Sequence, residues 1–199
     1  MRELTNDPFF RTLGKYPRCV IDYRIIKTDA PHFGLSSHRL VLLYAMIKII
    51  GQQLEEHDGS EAALGRECGF FEWDLDISKA KAVPKDPAEL LRIPKIVSTD
   101  YYGKRRYDCP WPNGDAGDQI PYWYAFIETP HTTGYGPGDL AAVNAALFPM
   151  GTDALEAYEW STDWSNYFDD GREWWGTACW SIYDKSTDRY VVIMASATD

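Results

Sequence analysis

The sequence predicts an α+β fold: a mixed or mainly antiparallel sheet with a C-terminal β-hairpin, packed by an apolar helix over 38–54 and a second helix over 139–147. Three observations predict it. Apolar runs rich in β-branched and aromatic residues recur at 18–28, 120–128, 154–160, 173–183 and 189–196. The two helical stretches carry three-to-four spacing or a capping residue. The last three strands follow one another with no helix between them, so part of the sheet is antiparallel and a doubly wound parallel sheet is excluded. At 199 residues, the chain is expected to form one α+β domain over 1–199.

Residues 18–28 (RCVIDYRIIKT) are β-branched and partly alternating, which predicts the first strand. Ser36 and Ser37 can cap a helix starting near His38. Leu40, Leu43, Ile47, Ile50 and Leu54 follow helical spacing, and Val41, Leu42, Met46 and Ile49 make the other faces apolar too. A helix apolar on nearly all sides is expected at the centre of the core, with a subunit contact as the alternative. Residues 84–94 carry three prolines around Ala88–Arg92, consistent with one short helix between breakers. Residues 100–119 are loop-like, with Gly103, Pro110, Pro112, Gly114 and Gly117. Residues 120–128 (IPYWYAFIE) predict a strand whose start lies at an edge because of Pro121. A loop then leads to Asp139, which caps a helix through Leu147, ended by Pro149. Residues 154–160 predict another strand, 161–171 a polar, aromatic connection, and 173–183 with 189–196 a hairpin around Asp184–Asp188.

Charge is unevenly placed. Net charge is −10 overall, but residues 1–50 hold 8 Lys/Arg against 4 Asp/Glu, whereas residues 111–199 hold 3 against 14. Residues 55–76 add eight acids against a single Arg66. Such a surface repels nucleic acid and anionic membrane and attracts basic partners; in its plainest reading it only keeps the protein soluble. The cysteines, Cys19, Cys68, Cys109 and Cys179, show neither CxxC nor zinc-knuckle spacing. Free thiols and a reducing, cytoplasmic setting are therefore expected. Met1–Phe10 has no apolar signal core, and Leu40–Ile50 is too short to span a bilayer.

The segment Glu156–Trp175 (EAYEWSTDWSNYFDDGREWW) is the densest in aromatic and acidic residues, with Arg172 its only basic one. Aromatic side chains are enriched at binding hot spots and carboxylates steer a basic partner. An acidic surface can also imitate a phosphate track. This makes Glu159, Trp160, Asp163, Trp164, Tyr167, Asp169, Asp170, Glu173 and Trp174 the candidate binding residues. Asp163, Asp169, Asp170 and Glu173 are, in the alternative reading, candidates for a paired-carboxylate enzyme, with His131 as a general base. Aromatic faces with carboxylates also suit a sugar. The plain alternative is that the aromatics fill the core and Asp169-Asp170-Gly171 is a turn.

Other motifs are excluded. Gly134-Tyr135-Gly136-Pro137-Gly138 precedes a helix, but it is neither GxGxxG nor a P-loop, and Asp139 stands where an anion would sit. Gly34-Leu35-Ser36-Ser37-His38 is no nucleophile elbow. Lys104-Arg105-Arg106 is too short for a nucleic-acid stripe. His32, His38, His57 and His131 show no HxH, HExxH or HxxxH spacing, so no metal and no cofactor are expected.

The block from Leu155-Glu156-Ala157-Tyr158-Glu159-Trp160 through Glu173-Trp174-Trp175-Gly176-Thr177 to Ala195-Ser196-Ala197-Thr198-Asp199 resembles one found in uncharacterised bacterial proteins of similar length, over about the last quarter of the chain. That resemblance implies no activity. In acidity and compactness the chain is similar to toxin-immunity and anti-defence proteins. The expected function is an acidic cytoplasmic binding protein that neutralises a basic partner such as a nuclease, toxin or defence enzyme. The alternative is a hydrolase using the carboxylates of 156–175.

Overall fold

The C-terminal hairpin lies at the centre of the sheet. In the computed structural model, which describes residues 1–63, 72–109, 119–130 and 134–197, β7 (Thr177–Asp184) and β8 (Arg189–Ser196) pair along their whole length. Thr177 faces Ser196, and Asp184 faces Arg189. Asp184 builds the turn: its carboxylate accepts from the Ser186 N–H at 2.9 Å, the Ser186 hydroxyl at 2.5 Å and the Thr187 hydroxyl at 2.7 Å. β2 (Ile21–Lys27) adds to β8, with the two-residue β1 (Arg2–Glu3) beyond it. β6 (Leu155–Trp160) adds to β7, and β3 (Ala82–Lys85) closes that side. The six-stranded order is β1-β2-β8-β7-β6-β3, and every pairing is antiparallel. Pro84 is accommodated in β3 because an edge strand has one side without a ladder partner.

Strand alternation divides the core in two. Tyr23, Ile25, Trp180, Ile182, Val191 and Ile193 face one layer, which also holds residues of α1 (Pro8–Leu13), α4 (Tyr122–Ile127) and α5 (Pro137–Leu147). Ile26, Trp160, Cys179, Val192 and Met194 face the other, under α2 (Leu35–Ala63). With both faces covered, all eight residues of β7 are buried, so the strand is a continuous rather than an alternating run. α2 buries His38, Val41, Leu42, Ala45, Met46 and Ile49 as one stripe and exposes Leu40 and Ile47. It therefore lies on one face of the sheet rather than at the centre of the core.

Residues 120–128 do not form the expected strand; they hold α4. Five of its six residues are buried, so both neighbouring layers select apolar side chains and the periodicity that separates helix from strand is lost. Pro121 is extended (φ −64°, ψ 150°) and precedes the first turn. Tyr122 fixes the helix, receiving a hydrogen bond from the Tyr23 hydroxyl at 3.0 Å and donating to Asn144 at 3.1 Å. The loop-like stretch 100–119 holds β5 (Arg105–Tyr107), which pairs with β4 (Ile96–Thr99) just before it in a small hairpin turned at Gly103 with φ 83°. α3 (Pro87–Leu90) is the short proline-bounded helix. The 161–171 connection carries a 3-10 turn, Asn166–Phe168, and runs into α6 (Asp169–Trp174), so the hairpin strand starts at Thr177 and not at residue 173. α5 starts at Pro137, ahead of the expected cap: Gly136 is the N-cap, and Asp139, inside the first turn, accepts from the Gly136 N–H through Oδ2 at 2.8 Å. Among the described residues, no helix is long and apolar enough to cross a membrane.

Candidate functional site

The fold disperses the aromatic–acidic segment. Trp160 and Trp164 are 0% and 1% exposed and Tyr167 8%, all three in the layer under α2. Large aromatic side chains at positions facing a covered sheet are drawn into it, and these three are core residues rather than hot-spot anchors. Trp160 donates its indole N–H to Ser181 at 2.7 Å. Tyr167 donates to Asp22 at 2.6 Å; burial first, then the neighbouring Asp22 carboxylate, drives its hydroxyl well above the ordinary range. Glu159 lies elsewhere, paired with Lys85 at 3.0 Å and beside Trp180 in a separate cleft of about 560 Å³. Asp163 is an exposed turn residue accepting from the Ser161 hydroxyl, a bond that holds its carboxyl below the usual range. Glu173 is exposed on α6. His131 and the side chain of Trp174 lie outside the described residues.

Asp169 and Asp170 are the two candidate acids brought to one concave space. The chain at 72–76 runs alongside 164–166: the Asp74 N–H donates to Asn166 Oδ1 at 3.0 Å across 92 residues of sequence, and the Asp76 N–H to the Trp164 carbonyl at 2.8 Å. Asn166 Nδ2 returns a bond to the Glu72 carbonyl at 3.0 Å. The late turns of α2 border the same region. The result is a groove of about 460 Å³ lined by Gln53, His57, Trp73, Tyr167, Asp169 and Asp170, among others. Asp169 pairs with Arg172 at 3.4 Å, and Arg172 also donates to the Thr162 carbonyl at 2.6 Å. The two acidic stretches of the sequence thus meet on one surface, with Glu72 and Asp74 exposed at its border.

A second constellation has no counterpart in local sequence spacing. Glu156 on β6, Tyr183 on β7 and Tyr190 on β8 are direct cross-strand partners in one row. The loop between β2 and α2 lays His32 over that row, its ring stacked on Tyr183 at 4.0 Å. His32 Nδ1 meets the Tyr190 hydroxyl at 2.7 Å and Nε2 faces Glu156 Oε2 at 3.3 Å. The first turn of α2 adds His38, whose Nδ1 meets the Ser181 hydroxyl at 2.8 Å and whose Nε2 lies 3.6 Å from Glu156 Oε1. Burial, then the neighbouring His32, pulls the His38 pKa down to about 3, so its imidazole is neutral. Lys185 approaches Glu156 Oε2 at 3.9 Å. The expectation of no metal site rests on spacing within the sequence, and these three residues come together only through the fold.

The thiols among the described residues show no activation. Cys19, Cys109 and Cys179 are free, and burial raises all three, Cys19 to about 11. Cys68 lies outside the described residues. No protein-family model, curated protein or solved structure matches the chain.

Proposed function

We propose that this chain is an acidic binding protein that neutralises a basic macromolecular partner, of the toxin-immunity or anti-defence inhibitor type, using the groove between the end of α2 and residues 164–170. One observation carries the reading: acidic stretches far apart in sequence are laced together by Asp74, Asp76, Trp164 and Asn166 around a single concave surface. A groove holding Asp169 and Asp170 suits a lysine or arginine of a partner, with Trp73 as its aromatic wall. The partner class is a nuclease, toxin or defence enzyme with a cationic site. Direct nucleic-acid binding is disfavoured by the sign of the charge.

The test is retention of a partner from the source cell's lysate at low and high salt, for the wild type and for Asp169→Lys/Asp170→Lys. A dominant protein partner should be lost at about 1 M salt, where the Debye length falls to about 3 Å. The variant should bind at least about tenfold more weakly, roughly 1.4 kcal/mol. A complex indifferent to both would refute the reading. The presence of His57 in the same groove keeps the hydrolase reading testable. Asp169→Asn/Asp170→Asn that keeps the partner but abolishes a measured hydrolysis would favour it.

A further inference from the structure

We propose that His32, His38 and Glu156 form a binding site for a divalent transition-metal ion of the zinc class. The inference is independent of the acidic groove and rests on three residues the groove does not use. Their ligand atoms all lie within 4.8 Å of one another. The imidazole Nε2 atoms stand 3.3 Å and 3.6 Å from the two oxygens of one carboxylate. A charge-assisted hydrogen bond would close to about 2.7–2.9 Å. Two ligands each about 2.0–2.1 Å from one tetrahedral zinc are instead about 3.4 Å apart, close to both of these nitrogen–oxygen spacings.

A second observation points to the same ligand. The His38 side chain is 0% exposed, and its Nε2 is a buried nitrogen with no hydrogen-bond partner among the described residues, aimed at Glu156. Buried polar atoms are nearly always satisfied, and a cation between Nε2 and the carboxylate would satisfy both. The outer contacts are those of ligating histidines, where the second ring nitrogen is held by hydrogen bonding and the first is left for the metal. Ser181 holds Nδ1 of His38, and Tyr190 holds Nδ1 of His32. Ser181 is fixed in turn by the Trp160 indole, and the His32 ring plane by its stacking on Tyr183. The site is therefore preorganised from α2 and three strands.

Two imidazoles and one carboxylate suit zinc, cobalt, nickel or ferrous iron, whereas magnesium and calcium take oxygen ligands. Three protein ligands leave a coordination position open. His32 and Glu156 are 17% and 27% exposed, so solvent reaches that position. Lys185 is the one ammonium at the carboxylate among the described residues; it is exposed and able to swing away. The ion would pin the loop between β2 and α2 to β6.

The test uses the full chain stripped with a chelator. Zn²⁺ is titrated by calorimetry against a competing chelator, and Co²⁺ by visible absorption. The wild type should bind one equivalent of each and melt at a higher temperature with Zn²⁺. His32→Ala and Glu156→Gln should each weaken Zn²⁺ at least about tenfold and abolish the cobalt spectrum, with Ser181→Ala weakening it about tenfold through the outer contact. His57→Ala, outside the cluster, should bind as the wild type does. His38→Ala is avoided because removing a buried ring can unfold the chain. Unfolding midpoints of the metal-free variants establish that they remain folded. The absence of saturable one-equivalent binding would overturn the proposal. So would binding unchanged in both His32→Ala and Glu156→Gln, which would assign the ion to thiols or to the surface.

Discussion

Replacing either of two helical glycines with alanine should shift stability in opposite directions. Gly171 lies in α6, where the helix crosses the end of β8. A Cβ there would stand 2.8 Å from the Gly176 carbonyl oxygen, 2.8 Å from Ser196 Oγ and 2.9 Å from the Ala197 nitrogen. Two of these atoms belong to the backbone and cannot rotate away. The Gly171 carbonyl also accepts from the Trp175 N–H at 3.1 Å and the Gly176 N–H at 2.6 Å, so lifting α6 strains both bonds. Gly51 lies inside α2, and a methyl group on its Cα would meet no heavy atom of the described residues within 4 Å beyond its own helix backbone. Alanine in a helix interior is worth about 0.5–1 kcal/mol over glycine. Gly51→Ala should gain that, whereas in Gly171→Ala a steric cost of about 1–3 kcal/mol should outweigh it. For a chain of this length 1 kcal/mol moves the Tm by about 2–4 °C. Thermal and urea unfolding should place Gly51→Ala above the wild type and Gly171→Ala below it, by up to about 10 °C. A Gly171→Ala as stable as the wild type would refute the close packing of α6 on β8.

Two further outcomes concern titrating groups. His38 is neutral when folded, with a pKa of about 3 against an ordinary 6.5, and it faces His32, Glu156, Tyr158 and Tyr190. A base with a depressed folded pKa is protonated first in the unfolded chain, so its contribution is complete above about pH 6.5 and is lost as pH falls toward 3, at up to about 1.4 kcal/mol per pH unit. Urea midpoints of the metal-free protein between pH 7 and 4.5 should fall more steeply for the wild type than for His38→Gln; equal slopes would refute a neutral His38. Asp184 is buried, which alone would raise its carboxyl, but hydrogen bonds from Ser186 and Thr187 outweigh this and lower it. Asp184→Ala should cost about 1–3 kcal/mol by stripping the hairpin turn, and should remove a stabilisation otherwise present above the unfolded carboxyl pKa of about 3.9 and lost as pH falls through the folded value. An unchanged unfolding midpoint at pH 7 would refute the role of the turn.

The parts of the fold that are legible in sequence are those whose two sides differ or whose ends are marked. The α5 helix carries Asp139 at its start and Pro149 after its end, and the hairpin is punctuated by Asp184–Asp188. α4 is not legible because it is buried on almost every side, and a fully buried six-residue run has the same composition as a buried strand. The same physics misdirects the reading of 156–175. Trp160, Trp164 and Tyr167 are conspicuous as aromatics among acids, yet Asp163, Asp169, Asp170 and Glu173 are exposed while the rings fill the layer under α2.

The histidine cluster is hidden for a different reason. His32 and His38 flank the junction between a loop and α2, and no periodicity links them to Glu156, which is separated from His32 by 124 residues. Their meeting depends on register. Glu156 lies opposite Tyr183, and Tyr183 opposite Tyr190, so one face of three strands presents a carboxylate, a stacking ring and a hydroxyl together. A one-residue slip of β6 would turn Glu156 to the opposite face and bring Leu155 or Ala157 beneath the imidazoles. That slip would also carry Leu155 and Ala157 out of the core layer they now fill, and it would turn Glu159 away from Lys85. The hydrophobic burial that fixes the sheet's register is thus what assembles the two imidazoles and the carboxylate. The same register can be disturbed without touching any ligand, through Leu155 and Ala157 on the far side of β6.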